Sequence, residues 1–201
     1  MTAATPQDVV HIKVSLHGVT PPVWRRLLVP ARTTLAQLHS AIQVAFGWEN
    51  YHLHGFTVHG EEYGPQDPDG EMDVRSEGIA LAKLGLKAKT KIRYEYDFGD
   101  CWVHDITVEK ILVSEVPLEA PVCLGGKRAC PPEDCGGGPG YEDMLEALDD
   151  PTHPRHEEFF EWLGGGWDPE EFDLENVNAR LTARFTPAKP RVVRTAKLRT
   201  S

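Results

Sequence analysis

An alternating N-terminal segment followed by a capped amphipathic helix is the feature that most constrains the fold. From Val9 onward, every even position from 10 to 16 is apolar and the positions between them are polar. This alternation is typical of a strand with one buried face. Residues 23–29 predict a second strand, and Pro21 with Pro22 marks the turn before it. The two segments together predict a β-hairpin.

The next segment predicts one amphipathic helix over residues 35–46. Thr34 and Gln37 have the spacing of a capping box, and Gly47 suits the left-handed residue that closes a helix. Apolar side chains recur at helical spacing at Leu35, Leu38, Ile42, Ala45 and Phe46. A helix that follows a hairpin can bury such a face on the sheet.

The rest of the chain predicts an α+β domain. Further strands are expected at 52–59, 90–97 and 102–113, a helical turn at 79–84, and helices at 141–148, 156–163 and 174–183. Residues 60–78 and 114–140 are predicted loops because they are rich in Gly, Pro and acidic residues. The order indicates a mixed β-sheet with a β-grasp-like ββαβ(α)ββ core and C-terminal helices packed on it. We expect one domain over 9–183, with flexible tails at 1–8 and 184–201.

Charge is unevenly distributed along the chain. The net charge is −10, yet residues 184–201 carry six Lys or Arg and no acid. Taking those six from the 21 basic residues leaves 15 against 31 acidic residues in the body. An acidic body repels a phosphate backbone, so a nucleic acid would have to bind through the basic tail 184–201. The alternative is a solubilising terminus.

The sequence carries no signal for a membrane or for export. It has no apolar run of membrane-spanning length and no basic, then apolar, N-terminal leader. We therefore expect a cytoplasmic protein without membrane partners. In that compartment the four cysteines are expected to be reduced thiols or metal ligands rather than disulfides.

Two stretches hold most of the unusual chemistry. Residues 94–105 and 123–141 together contain all four cysteines and a high density of aromatic, acidic and glycine residues. We expect the two stretches to fold against each other into one polar pocket. The side chains predicted to form it are Asp97, Asp100, Trp102, His104, Glu133, Asp134 and Tyr141.

The aspartates of the first stretch allow two interpretations. Asp97 and Asp100 flank the Gly99 turn, and His104 follows on the next strand. Two carboxylates and an imidazole can bind a divalent metal ion or act as general acid and base. The alternative is structural, with the aspartates accepting bonds from turn amides and the histidine buried against a carbonyl.

The cysteines allow a second metal interpretation. Cys123, Cys130 and Cys135, with His104 as a fourth ligand, have the donor types that zinc prefers. The intervals of six and four residues between these cysteines miss the usual zinc knuckle, and the alternative is that they are small apolar fillers. No cofactor is predicted, and zinc or another divalent metal is the alternative.

Glycines and histidines nearby favour structural interpretations. The glycine-rich segment 136–140 precedes a predicted helix, as in some anion sites, but Glu133 and Asp134 would repel a phosphate. Positive φ angles and close packing explain these glycines better. His52 and His54 share a face of a predicted strand, and an exposed polar face is favoured over a metal site there.

Several of these motifs in combination resemble one known family. They are Trp24-Arg25-Arg26, Leu35-x-x-Leu38-His39-x-x-Ile42-Gln43, Trp48-x-x-x-His52-Leu53-x-x-Phe56, Tyr94-x-Tyr96-Asp97-Phe98-Gly99-Asp100-x-Trp102-x-His104, Cys130-Pro131-Pro132-Glu133-Asp134-Cys135-Gly136-Gly137, Pro139-Gly140-Tyr141, Phe172-Asp173 and Asn176-Val177-Asn178. They cover residues 10–181 and resemble the Ri-plasmid ORF-three-like family, whose members are often labelled insertion-sequence passenger or resolvase-like proteins. The resemblance implies one α+β domain associated with plasmids and mobile elements, and it supplies no catalytic residues.

Three functions are compatible with these features. The favoured one is a non-enzymatic binding or interaction module with a protein or small-molecule partner, because the composite motif contains no recognisable catalytic set. The second is a metal-dependent hydrolase or nuclease that uses Asp97, Asp100, His104, Glu133 and Asp134 to hold the ion. The third is a nucleic-acid accessory protein that acts through the tail 184–201.

Overall fold

One eight-stranded sheet organises the described part of the chain, residues 7–66 and 74–186 of the computed structural model. In chain order its strands are β1 (Gln7–Leu16), β2 (Trp24–Pro30), β3 (His54–Val58), β4 (Glu61–Gly64), β5 (Arg75–Ser76), β6 (Lys91–Tyr96), β7 (Trp102–Ser114) and β8 (Val122–Lys127). Their order in the sheet is β5-β4-β3-β6-β7-β1-β2-β8. Only the short β4–β5 pair among them is parallel, so the predicted mixed sheet is confirmed.

Four α-helices accompany the sheet in the described residues. They are α1 (Leu35–Phe46), α2 (Gly137–Asp149), α3 (His156–Trp162) and α4 (Leu174–Phe185), and a 3-10 turn spans Leu81–Lys83. The predicted α+β class is therefore confirmed. None of these helices is both long enough and apolar enough to cross a membrane.

The start of α1 has the predicted capping box. The Gln37 amide donates to Thr34 Oγ1 at 3.2 Å, and the Thr34 amide donates to Gln37 Oε1 at 3.0 Å. The helix ends at Gly47, whose φ of 93° is left-handed. Leu35, Leu38 and Ile42 are fully buried on its inner face. These residues form the helical side of the main core, as the spacing predicted.

The sheet is buried mainly on one face. On β1 the even residues from Val10 to Leu16 are buried, whereas His11, Lys13 and Ser15 are partly exposed. This pattern matches an antiparallel sheet with one packed face and one solvated face. The N-terminal alternation therefore predicted correctly which side of the strand carries the core.

Some details of the predicted topology differ. The β-grasp-like order is not confirmed, since β7 joins β1 in an antiparallel pair and further strands flank the sheet. The segment 114–140 contains β8 and the first turn of α2, because Gly125 and Gly126 pair with β2 instead of forming a turn. The segment 60–78 contains β4 and β5, while its residues 67–73 lie outside the described residues. The predicted tails lie mostly outside them too, at 1–6 and 187–201.

Three buried histidines, His39, His54 and His104, lie in the core between α1 and the sheet. His39 stacks on His54 with ring centroids 3.5 Å apart, and its Nδ1 lies 2.8 Å from the Tyr94 hydroxyl. His104, on β7, is fully buried and contacts the rings of Phe46 and Tyr94. Burial lowers the pKa of His39 to about 4 and that of His104 to about 3, so the rings of His39 and His104 are neutral at physiological pH.

Candidate functional site

Three side chains from three separate loops meet at one end of the sheet. His52 lies between α1 and β3, Asp97 directly follows β6, and Asp134 lies in the loop before α2. His52 Nε2 is 3.6 Å from Asp97 Oδ2 and 3.3 Å from Asp134 Oδ1. The three potential metal-ligand atoms all lie within 4.8 Å of one another. We refer to His52, Asp97 and Asp134 as the HDD cluster.

The position of Asp97 follows from its backbone. Its φ of 58° is left-handed, a conformation that aspartate tolerates better than most residues. Its amide donates to the Leu53 carbonyl at 2.9 Å, which ties the end of β6 to the segment carrying His52. Asp97 Oδ1 accepts from the Gly99 amide at 2.9 Å, as the structural interpretation predicted, and this leaves Oδ2 on the His52 side.

The loop that carries Asp134 is anchored on both sides. Asp100 Oδ2 accepts from the Gly136 amide at 3.1 Å. Glu133 accepts from the Tyr96 hydroxyl through Oε1 and from the Glu49 amide through Oε2, the latter at 2.7 Å. The two chemically unusual stretches therefore contact each other, and Asp100 and Glu133 hold the loop in place.

Glycine is required at two positions of the second stretch, Gly137 and Gly140. A Cβ added to Gly137, which has a φ of 67°, would lie 2.4 Å from the Asp100 carbonyl oxygen. A Cβ on Gly140 would lie 1.9 Å from the Cys135 carbonyl oxygen. The preferred interpretation of the glycine-rich segment, positive φ with close packing, is thus confirmed.

The spacing inside the HDD cluster differs from that of an ordinary hydrogen-bonded pair. His52 Nε2 is buried and forms no hydrogen bond despite its two carboxylate neighbours. In the same protein, His54 and His17 lie 2.8 Å and 2.9 Å from the carboxylate oxygens of Glu77 and Asp105. Two ligands on one tetrahedral ion with bonds of about 2.1 Å are separated by about 3.4 Å. The distances of 3.3 Å and 3.6 Å bracket that value.

One side of the HDD cluster is open. The side chain of Asp97 is 11% exposed and that of His52 is 27% exposed, whereas that of Asp134 is 69% exposed. An ion held between them would keep room for water or a further ligand on the Asp134 side. Metal sites that perform chemistry leave such an open position, and purely structural zinc sites do not.

Three residues predicted for the pocket lie in the core instead. Trp102 packs against Trp48, and His104 has its Nδ1 2.9 Å from the Trp102 carbonyl oxygen. Tyr141 is buried edge-on to Trp167, and burial raises its pKa to about 12. His104 points into the core because strand alternation places it on the same face as Trp102 and Ile106. The structural interpretation of His104 is therefore the one observed.

The cysteines are free thiols and none belongs to the HDD cluster. Cys123 is buried on β8, Cys130 and Cys135 are half-buried, and Cys101 is exposed. Burial raises the pKa of Cys123 and Cys130, and it raises that of Cys135 to about 12. These three thiols are therefore protonated at neutral pH.

An open cleft of about 790 Å³ adjoins the HDD cluster. Tyr51 and Glu133, the immediate chain neighbours of His52 and Asp134, line it on one side. Trp167 and Arg180 line it on the side of the C-terminal helices. Its size is in the range of small-molecule sites.

Sequence reasoning missed His52. The exposed strand face predicted for His52 and His54 is wrong, because His52 precedes β3 and His54 is buried against Glu77. The usable signal was that Asp97 and Asp134 already belonged to one predicted pocket. His52 reaches them because β3 pairs with β6, with His54 opposite Tyr96.

The chain is similar to proteins known by sequence and by structure. It is 42% identical over 160 residues to the uncharacterized protein y4hQ of Sinorhizobium fredii (strain NBRC 101917 / NGR234), covering 78% of this chain and 81% of that protein. The crystal structure of MM3350, a protein of unknown function from Methanosarcina mazei Go1, matches with a TM-score of 0.78 and 40% identity. That match covers 86% of this chain and 98% of the other. The model of the plasmid pRiA4b ORF-3-like proteins matches residues 8–176, and this chain belongs to that family.

Proposed function

We propose that this domain is a binding module for a divalent transition-metal ion, held by His52, Asp97 and Asp134. The observation that carries the proposal is the spacing of the three ligand atoms around a buried imidazole nitrogen without a hydrogen bond. If His52 were simply a protonated histidine between two carboxylates, we would expect its Nε2 to approach a carboxylate oxygen to the 2.8–2.9 Å found at His54 and His17.

The donor set suggests which ions fit. One imidazole nitrogen with two carboxylate oxygens suits Zn²⁺, Mn²⁺ or Fe²⁺ better than Ca²⁺ or Mg²⁺, which prefer oxygen ligands alone. Two carboxylates and a neutral imidazole also balance the charge of a divalent cation. The His52 and Asp97 side chains are largely removed from water, and a bound ion would compensate for the free-energy cost of that burial.

The proposal revises the predicted metal set. Asp97 and Asp134 remain, and His52 replaces His104, which lies in the core. Asp100 and Glu133 are assigned to positioning, because each accepts a backbone amide hydrogen bond that fixes a loop. The association with insertion sequences and the binding of nucleic acid by the tail 184–201 stay predictions.

Metal titration tests the proposal directly. Full-length protein stripped with a chelator is expected to bind one equivalent of Zn²⁺ or Mn²⁺ in isothermal titration calorimetry. His52→Ala and Asp97→Asn are each expected to weaken binding by about 100-fold or more, because each removes a ligand. Asp105→Asn is the matched control, since Asp105 also pairs with a histidine but lies outside the HDD cluster.

Two results would contradict the proposal. One is the absence of stoichiometric binding by the wild type. The other is equal binding by wild type and His52→Ala. Thermal unfolding gives a second readout, since an ion at 100 times its Kd adds about 2.7 kcal/mol to the free energy of unfolding. That shift should be absent in Asp97→Asn.

Metal-dependent hydrolysis is a second candidate function, and the open side of the HDD cluster beside the cleft favours it. A bound ion could lower the pKa of a coordinated water and polarise a substrate in the cleft. We expect such activity as turnover of a p-nitrophenyl ester or phosphodiester that requires the metal and is lost in Asp97→Asn. Equal turnover by wild type and Asp97→Asn, or no turnover by wild type, would exclude hydrolysis at the HDD cluster while leaving the binding proposal intact.

A further inference from the structure

A basic stretch lies within the acidic body of the chain. Residues 79–94 contain five Lys or Arg and no Asp or Glu. Two of the five, Lys91 and Arg93, are exposed on β6, where they alternate with the buried Ile92 and Tyr94. Because successive side chains of a strand point to opposite faces, Lys91 and Arg93 lie on the face of the sheet that is turned away from the core.

Basic side chains from three strands continue this pattern in one row across the solvated face. Lys91 of β6 is opposite Thr107 of β7, and its Nζ donates to Thr107 Oγ1 at 2.7 Å. Thr107 is opposite Lys13 of β1, and Lys13 is opposite Arg26 of β2. The row crosses three gaps between strands, or about 14 Å at about 4.8 Å for each gap.

An open depression of about 580 Å³ follows this row. Arg26 and Thr107 line it, together with Lys89 from the loop before β6 and Lys110 from β7. The Lys89 amide donates to the Val108 carbonyl at 2.7 Å, which holds that loop against β7. Four lysines therefore surround Thr107, and we refer to them as the lysine face: Lys13, Lys89, Lys91 and Lys110.

The carboxylates beside the lysine face are engaged, whereas its lysines are not. Glu109 accepts two hydrogen bonds from the Arg26 guanidinium, at 2.8 Å and 2.9 Å. Two further carboxylates on this side of β6 and β7 also have partners, at 3.5 Å for Glu95 with Arg93 and 2.9 Å for Asp105 with His17. None of the four lysines forms an ion pair with another residue of 7–66 or 74–186.

The row lies in the interior of the sheet. Around Thr107 the strands β6, β7 and β1 are each paired on both sides, and β2 is paired with β1 and β8. At the outer edge of β8, Asn178 of α4 accepts from the Cys123 amide at 2.8 Å and donates to the Cys123 carbonyl at 2.9 Å. This side chain occupies the hydrogen-bonding groups that another strand would use. A ligand of the lysine face must therefore lie on the sheet rather than extend it beyond β8.

We propose that the lysine face binds the phosphate backbone of a single-stranded nucleic acid. Lysine ammonium groups and threonine hydroxyls are common phosphate contacts, and a row of cations on an open surface can follow one strand. Trp24 beside the row already has the Lys13 ammonium and the Arg26 guanidinium over its ring, each 5.2 Å from the ring centroid. The contacts are therefore with phosphates rather than with bases, and binding does not depend on base sequence.

The acidic surplus of the body does not prevent this contact. At physiological ionic strength, exposed charges separated by more than about 8 Å are largely screened from each other. The lysines that touch the phosphates then outweigh carboxylates elsewhere on the surface. The acidic composition predicted that a nucleic acid would bind through the tail 184–201, and the lysine face is a separate place for it.

Fluorescence anisotropy of the full chain with a short labelled oligothymidylate, with a chelator present, tests the proposal. The logarithm of the binding constant is expected to fall with the logarithm of salt concentration with a slope of about −3, since each of four phosphate contacts contributes about 0.7. Lys91→Glu/Lys110→Glu is expected to weaken binding roughly tenfold or more and to lower the slope by about 1.4. Both side chains are exposed, so the variant should fold, and its thermal unfolding checks this.

Two further variants make the comparison specific. Arg180→Glu changes the charge by the same amount per residue but lies in the cleft beside the C-terminal helices, so binding should be unchanged. A full-length variant with the basic residues of 187–201 replaced by glutamine separates the lysine face from the tail. It is expected to keep salt-dependent binding and to lose it when Lys91→Glu/Lys110→Glu is added.

The proposal is overturned if wild type does not bind the oligonucleotide at low salt, even if it binds anionic vesicles or polyglutamate. It is also overturned if Lys91→Glu/Lys110→Glu binds like wild type, or if neutralising the tail alone abolishes binding. A strong preference for one base sequence would contradict contacts limited to phosphates. Metal binding at the HDD cluster does not enter any of these outcomes.

Discussion

Replacing His104 by leucine is expected to flatten the dependence of stability on pH between pH 7 and pH 5. In the folded protein burial holds the pKa of His104 near 3 and that of His39 near 4, whereas an unfolded chain has the ordinary value of about 6.5. Above pH 6.5 neither state is protonated. Below pH 6.5 these histidines bind protons in the unfolded state but not in the folded state, so the free energy of unfolding falls as the pH falls.

Linkage gives the size of this effect. Each of the two histidines should cost about 2 kcal/mol of unfolding free energy between pH 7 and pH 5. Urea denaturation at several pH values measures it. In His104→Leu the unfolding free energy should change by about 2 kcal/mol less between pH 7 and pH 5 than in wild type. This expectation does not depend on the stability of the variant at pH 7.

Ile106→Val is the matched control for that experiment. Ile106 is fully buried on the same face of β7 as His104, but it does not titrate. It should lower stability by a similar amount at every pH. A His104→Leu slope equal to that of wild type would show that the neutral, buried state of His104 is wrong.

Replacing Gly137 by alanine is expected to lower the free energy of unfolding by about 3 kcal/mol and to weaken metal binding. The new Cβ would lie 2.4 Å from the Asp100 carbonyl oxygen, and the backbone is left-handed there. The loop must therefore move away from the Gly99 turn. Because the same loop carries Asp134, the HDD cluster should open although no ligand has been changed.

Gly138→Ala is the matched control for Gly137→Ala. A Cβ on Gly138 would meet nothing within 4 Å, and its φ is not left-handed. We expect unchanged or slightly higher stability and unchanged metal affinity, measured by urea denaturation and calorimetry. Equal behaviour of the two variants would contradict the close contact between the two loops.

Local signals predicted the local structure well. The capping box at Thr34 and the closing glycine at Gly47 each act within one turn of helix, and both are observed. The strand β8 was missed because Gly125 and Gly126 have the composition of a turn. The pairing of β8 with β2 joins segments that are far apart in the sequence, so no local pattern predicts it. Gly126 is a glycine because the ring of Phe172 leaves no room for a Cβ there.

The candidate site was predicted only in part, because one of its residues is placed by long-range strand pairing. Asp97 and Asp134 belong to stretches whose density of polar and glycine residues indicated a meeting point. His52 joins them only through the pairing of β3 with β6, which no local pattern reports. His104 was placed in the pocket by its nearness in sequence, whereas strand alternation directs its ring into the core.

The hydrogen bonds from Asn178 to β8 have a consequence for how the chain is made. On the ribosome, β8 is complete at Lys127, well before α4 has been synthesised. Until Asn178 emerges, the nascent sheet exposes the backbone groups of Cys123 to any neighbouring polypeptide. The helix α4 therefore protects the edge of β8 only after it has been synthesised. Translation of a message truncated before α4 should accumulate aggregated product.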